Sequence, residues 1–118
     1  MSLKDIYNKI MGNYPDLQFK TKIYMPEGFY PDDLTKVKKA ISKGKGSYGI
    51  ILISENKDDL FDIVTPFQLK LPVWKGKKPV VCGIAPDKES AEELVGTIVE
   101  DCMKIRGNLE VREYICSL

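Results

Sequence analysis

Two stretches without any polar interruption stand out along the chain, Tyr48 to Ile53 and Pro79-Val80-Val81-Cys82-Gly83-Ile84-Ala85. Short unbroken apolar runs suit strands covered on both faces, so both are predicted to lie in the middle of a sheet. After Ala85 the period changes. Asp87 or Ser90 can cap a helix, the latter with Glu93 three residues on, and Ala91, Leu94, Val95, Ile98, Cys102 and Ile105 then form one apolar helical stripe. Gly107 is the expected C-cap, behind Lys104 and Arg106, whose charges suit a helix C-terminus.

The other elements follow from the same pattern. Leu3, Ile6, Tyr7, Ile10 and Met11 predict a short amphipathic helix over 3–11. Strict alternation from Leu17 to Tyr24 predicts a strand with one wet face near a sheet edge. Pro31-Asp32-Asp33 predicts a helix start with proline in its first turn, and Leu34, Val37, Ala40 and Ile41 are its buried stripe. A turn at Glu55-Asn56-Lys57-Asp58 followed by the strand formers of 60–65 predicts an antiparallel hairpin, with a short helix over 57–64 as the alternative. Residues 67–78 have no period and predict an irregular connection holding one helical turn; Leu109 to Ile115 predicts a last strand.

This order predicts a single α/β domain over residues 1–118, with α+β as the alternative: a mixed, mostly parallel sheet of five strands with three helices, in two or three layers. Two strand-helix-strand units, 17–53 and 80–115, are expected to cross over in parallel.

That geometry has an electrostatic consequence. The loops after parallel strands meet at one edge, where ligands of open α/β sheets bind, and here they carry Glu27, Asp32, Asp33, Glu55, Asp58, Asp59, Asp87 and Glu89. Lys43, Lys45, Lys75, Lys77 and Lys78 are expected at the other edge. The net charge of +1 conceals a matching split, with 14 lysines against nine acids in residues 1–78 and four cations against eight acids in residues 79–118. Opposed rims steer a protein partner or a second copy, so a non-catalytic binding or assembly domain, a homodimer or one that binds a protein partner, is the first expectation.

Candidate chemistry changes this little. Histidine is absent, which removes the usual general base near neutral pH and every Ser-His or Cys-His arrangement. Cys82, Cys102 and Cys116 form an odd set without a C-x-x-C pair, against a disulfide framework or a zinc site. Asp58, Asp59 and Asp62 are a candidate carboxylate pair or metal cluster, but turn solvation explains Asp58 and Asp59 without one. No catalytic residue, metal or cofactor is expected. A small ligand at the acidic edge would meet Phe29, Tyr30, Glu55, Asp87 and Ser90, with Met25 to Tyr30 as a lid if the protein were a carboxylate- or cofactor-dependent enzyme.

A basic patch of Lys43, Lys45, Trp74, Lys75, Lys77 and Lys78 is the alternative, for RNA or a phosphorylated small molecule. The absence of an apolar span or signal pattern predicts a cytoplasmic protein that does not enter membranes.

Overall fold

A computed structural model describes residues 2–6, 12–29, 31–56 and 58–118. It shows four strands, β1 (Gln18–Tyr24), β2 (Gly49–Ile53), β3 (Phe61–Val64) and β4 (Val80–Ala85), in the order β1-β4-β2-β3. Residues 3–6 are helical and form α1; residues 7–11 of the helix predicted over 3–11 lie outside the described residues. The other helices are α2 (Leu34–Ser42), α3 (Lys88–Arg106) and α4 (Val111–Cys116), and two 3-10 turns, Gln68–Lys70 and Pro72–Trp74, link β3 to β4.

The chain is α/β, with four strands and four helices among the described residues in place of five and three. Both apolar runs are central strands, β1 is an edge, and the hairpin displaces the short-helix alternative. The expected parallel character is corrected. Among the described residues only β1 and β4 pair in parallel; β2 runs antiparallel to both β4 and β3. The link from α2 to β2, with Gly44 and Gly46 at positive φ, is long enough to deliver β2 in the opposite sense.

Residues 109–115 are corrected from strand to helix. Val111, Tyr114 and Ile115 are the buried positions, a three- and four-residue spacing, while Leu109 is 61% exposed. In α2, Asp33 is the N-cap and accepts from the Lys36 amide, so Pro31 stands outside the helix.

One sheet face carries Ile50, Leu52, Val64, Val81 and Ile84 under Val37 and Ile41 of α2 and Leu69 of the first 3-10 turn. The other carries Ile51, Cys82 and Ala85 under Ala91, Leu94, Ile98 and Cys102 of α3 and Val111, Tyr114 and Ile115 of α4. The result is three layers. Between Ile51–Gly83 and Leu52–Val81 the β2–β4 register slips by one residue, which lets Val81 and Ile84 share a face despite their odd spacing. No helix of the described residues is long and apolar enough to cross a membrane.

Asp87 is the cap of α3 and Gly107 its left-handed C-cap. The Ser90 amide donates to Asp87 Oδ1 at 2.7 Å and holds this carboxyl below the usual carboxylate range. A depressed native pKa stabilises the fold above the unfolded value of about 3.9, and that contribution fades as pH falls through the native value. Thermal melts of the wild type and Asp87→Asn should therefore differ at neutral pH and converge on acidification; a gap independent of pH would show that the charge has no part in the cap.

Candidate functional site

The antiparallel sense of β2 rearranges the predicted rims. Glu55 follows β2 at the end where β4 begins, so it stands with Lys77, and their side chains form an ion pair at 3.2 Å. Asp87 follows β4 at the opposite end. Acids therefore occupy both ends of the sheet, and the two-rim arrangement is not what this fold builds.

The same rearrangement makes a cleft of about 580 Å³ beside the hairpin, lined by Leu52, Asp62 and Val64 from the sheet, Glu55 and Asn56 from the turn, and Val73, Trp74, Lys77 and Pro79 from the link to β4. It unites Glu55, assigned from the sequence to an acidic edge, with Trp74 and Lys77, assigned to a basic one. Lys43 caps the C-terminus of α2, and neither it nor Lys45, Lys75 or Lys78 lines the cleft. Phe29 packs half-buried on the α2 side of the core; Tyr30 lies outside the described residues. Asp87 and Ser90 bind one another, which occupies an amide that an anion at this helix start would use.

Sequence reasoning missed the edge of β3. Ser54 N donates to Leu60 O at 3.2 Å, which fixes 54 and 60 as a hydrogen-bonded pair. Such pairs recur every second residue, so Leu52–Asp62 and Ile50–Val64 exchange hydrogen bonds, while Phe61 and Ile63 turn their N–H and C=O groups outward. The next outward positions are closed. Thr65 N donates to Gln68 Oε1 at 2.9 Å and Thr65 O accepts from Leu69 N; Asp59 N donates to Asn56 O, and Asp59 O accepts from Arg112 Nη2 at 2.6 Å. The open window is two residues long.

Arg112 is the second residue that sequence reasoning missed. From α4 it reaches under the hairpin turn and donates also to the carbonyls of Ser54, at 2.6 Å, and Asn56, at 3.2 Å. No family model, curated protein or solved structure matches this chain. The geometry alone must carry the functional reading.

On either side of the window in sequence stand apolar side chains left in solvent: Leu60 before β3, and Phe67, Leu71 and Val73 in the turns after it, the last three exposed to 71%, 50% and 65%; Val73 lines the cleft with Asp62. Exposed apolar groups and an unpaired strand edge are both features of docking surfaces.

Elsewhere, a smaller cleft lies between β1 and the ends of α3 and α4, lined among others by Lys22, Tyr24, Arg106 and Tyr114. Tyr24 donates to Asp101 Oδ2 at 3.0 Å and stands 2.6 Å from the Tyr114 hydroxyl, so Tyr114 is the donor of that pair. Burial, the paired tyrosine and the carboxylate all raise the Tyr24 pKa, and the hydroxyl stays protonated. Arg106 donates to Ser117 Oγ at 2.7 Å and Lys20 Nζ to the Cys116 carbonyl, both at helix C-termini where cations are stabilised without a ligand.

Among the described residues no three His, Cys, Asp or Glu side chains converge on a metal position. Burial pushes the Cys82 thiol up to about 12, and Cys102 is fully buried, while Cys116 is exposed. At pH 8 a disulfide reagent should thus titrate Cys116 promptly and the other two only on unfolding. Prompt reaction of Cys82 would show that β4 opens on that timescale.

Proposed function

We propose that this chain is a non-catalytic binding or assembly domain that docks a protein partner, or a second copy of itself, on the outer edge of β3 and the turns that follow it. The observation that supports this is the open window at Phe61 and Ile63, bounded on both sides by satisfied backbone and flanked by exposed Leu60, Phe67, Leu71 and Val73. An added strand would satisfy the four free backbone groups, and the apolar turns would supply burial beside it. We assign the protein to the cytoplasm, where three unpaired thiols are at home.

A photo-crosslinking residue in place of Phe67 or Val73 should trap a defined product in cells, identified by mass spectrometry, while the same group in place of the equally exposed Leu109 should not. Equal labelling from all three positions, or none, would remove the assignment. Sedimentation of the purified chain shows whether the product is a second copy.

A further inference from the structure

Resting on that docking reading, we propose that the occupant is an extended segment of a different protein that adds to β3 as a fifth strand and sets a lysine or arginine, flanked by apolar residues, opposite Asp62. Three observations converge on this occupant.

The first is the register. Phe61 and Ile63 are the only residues of β3 that turn backbone groups outward, and Asp62 stands between them with its side chain on the cleft face of the sheet. In the one antiparallel self-pairing that uses all four free groups of both copies, Phe61 faces Ile63 of the second copy. Asp62 then faces Asp62 of that copy. Like charges directly opposite destabilise a strand pair, so the window works against a second copy and in favour of an opposite charge.

The second is the charge of the cleft. Among the described residues Glu55, Asp59 and Asp62 line it against a single cation, Lys77, and Lys77 is taken by Glu55. Among the described residues, no cation and no hydrogen-bond donor pairs with the half-buried Asp62 carboxylate. An ammonium or guanidinium delivered by the added strand would pair with it.

The third is the alternation. Residues of the added strand opposite Phe61 and Ile63 point to the other sheet face, where those two side chains pack against the α3 layer. Apolar neighbours on both sides of the basic residue extend that packing, which gives the pattern apolar-basic-apolar.

The test uses the full chain, labelled with nitrogen-15, and two peptides, Ser-Thr-Val-Lys-Val-Thr-Ser and its counterpart with Glu in place of Lys. The Lys peptide should shift the amides of Phe61 and Ile63, bind about tenfold more tightly than the Glu peptide, and lose that advantage as salt is raised. Asp62→Lys should reverse the preference. Its gain of binding to the Glu peptide is a result that misfolding cannot imitate.

Equal affinity for both peptides, shifts confined to other residues, or no shift at Phe61 and Ile63 would overturn the inference. If the crosslinks at Phe67 and Val73 persist in that case, the docking reading stands and only the identity of the occupant is lost. If they are absent too, both fail.

Discussion

Gly49→Ala should be among the most damaging single-methyl changes this protein can suffer. Gly49 opens β2 directly beneath the start of α3. A Cβ built there lies against the backbone carbonyl of Asp87, inside contact distance of its oxygen and 2.8 Å from its carbon, and 2.7 Å from the Ala91 Cβ. Neither neighbour can swing aside. The Asp87 carbonyl accepts the first helical hydrogen bond, from Ala91 N at 3.1 Å, and Ala91 is fully buried against the sheet.

The methyl must therefore lift the N-terminus of α3 or shift β2 away from it, and either move opens the layer that holds Ile51, Leu94 and Ile98. Overpacking of this kind costs about 3 kcal/mol. For a chain of this length the melting temperature should fall by about 12 °C. Gly83→Ala is a useful contrast. Its added Cβ meets the flexible end of Ile51, Cδ1 at 2.8 Å, and that side chain can yield in part. A Gly49→Ala protein that melts within two or three degrees (roughly) of wild type would show that the helix–strand approach is looser than these contacts imply.

The close approach at Gly49 also marks what the sequence can and cannot tell. The unit from Pro79 to Gly107 was legible because each of its signals is local: an apolar run, a capping carboxylate, a stripe at helical spacing and a terminal glycine. Even there, Ile105 continues the stripe in sequence but is 66% exposed. Strand sense is a different kind of property. The order strand, helix, strand is the same whether Gly49–Ile53 runs with or against its neighbours, and periodicity carries no sign. A parallel default therefore placed Glu55 and Lys77 at opposite ends of a sheet that in fact joins them.

Residues 109–115 failed for a related reason. Leu109, Val111 and Ile115 fit a period of two about as well as Val111, Tyr114 and Ile115 fit a helix, and only the packing of Tyr114 under β1 and α3 decides. The candidate site was legible in its components and not in its assembly. By sequence, Trp74 and Lys77 suit RNA and Glu55 a small ligand, while Asp62 counts only beside Asp58 and Asp59 in a carboxylate cluster that the turn makes unnecessary. The open window depends on which residues of β3 face outward, a matter of register that no composition reveals.

Register at that edge is held from outside the hairpin, and the second large effect is expected there. Arg112 gives Ser54, Asn56 and Asp59 carbonyls three charged donors from one guanidinium. Truncation to alanine leaves three carbonyls without their partner, at a turn where Ser54 is buried and water can replace only part of the loss. Because the site is partly solvated, the cost is about 2 kcal/mol and the melting temperature should fall by about 8 °C.

Arg112→Lys should recover less than half of this, since a single ammonium cannot span three carbonyls that a planar fork reaches at once. The loss should also be uneven. Amides of Ser54 and Asp59, whose partners Leu60 and Asn56 lie in the same turn, should exchange faster by hydrogen–deuterium measurement, while those of β4 stay protected. Freed from Arg112, the Asp59 carbonyl would join the outward-facing groups, and the window at Phe61 and Ile63 would lose its lower boundary. Uniform loss of protection across β2, β3 and β4 would instead make Arg112 a global staple with no special part in defining the edge.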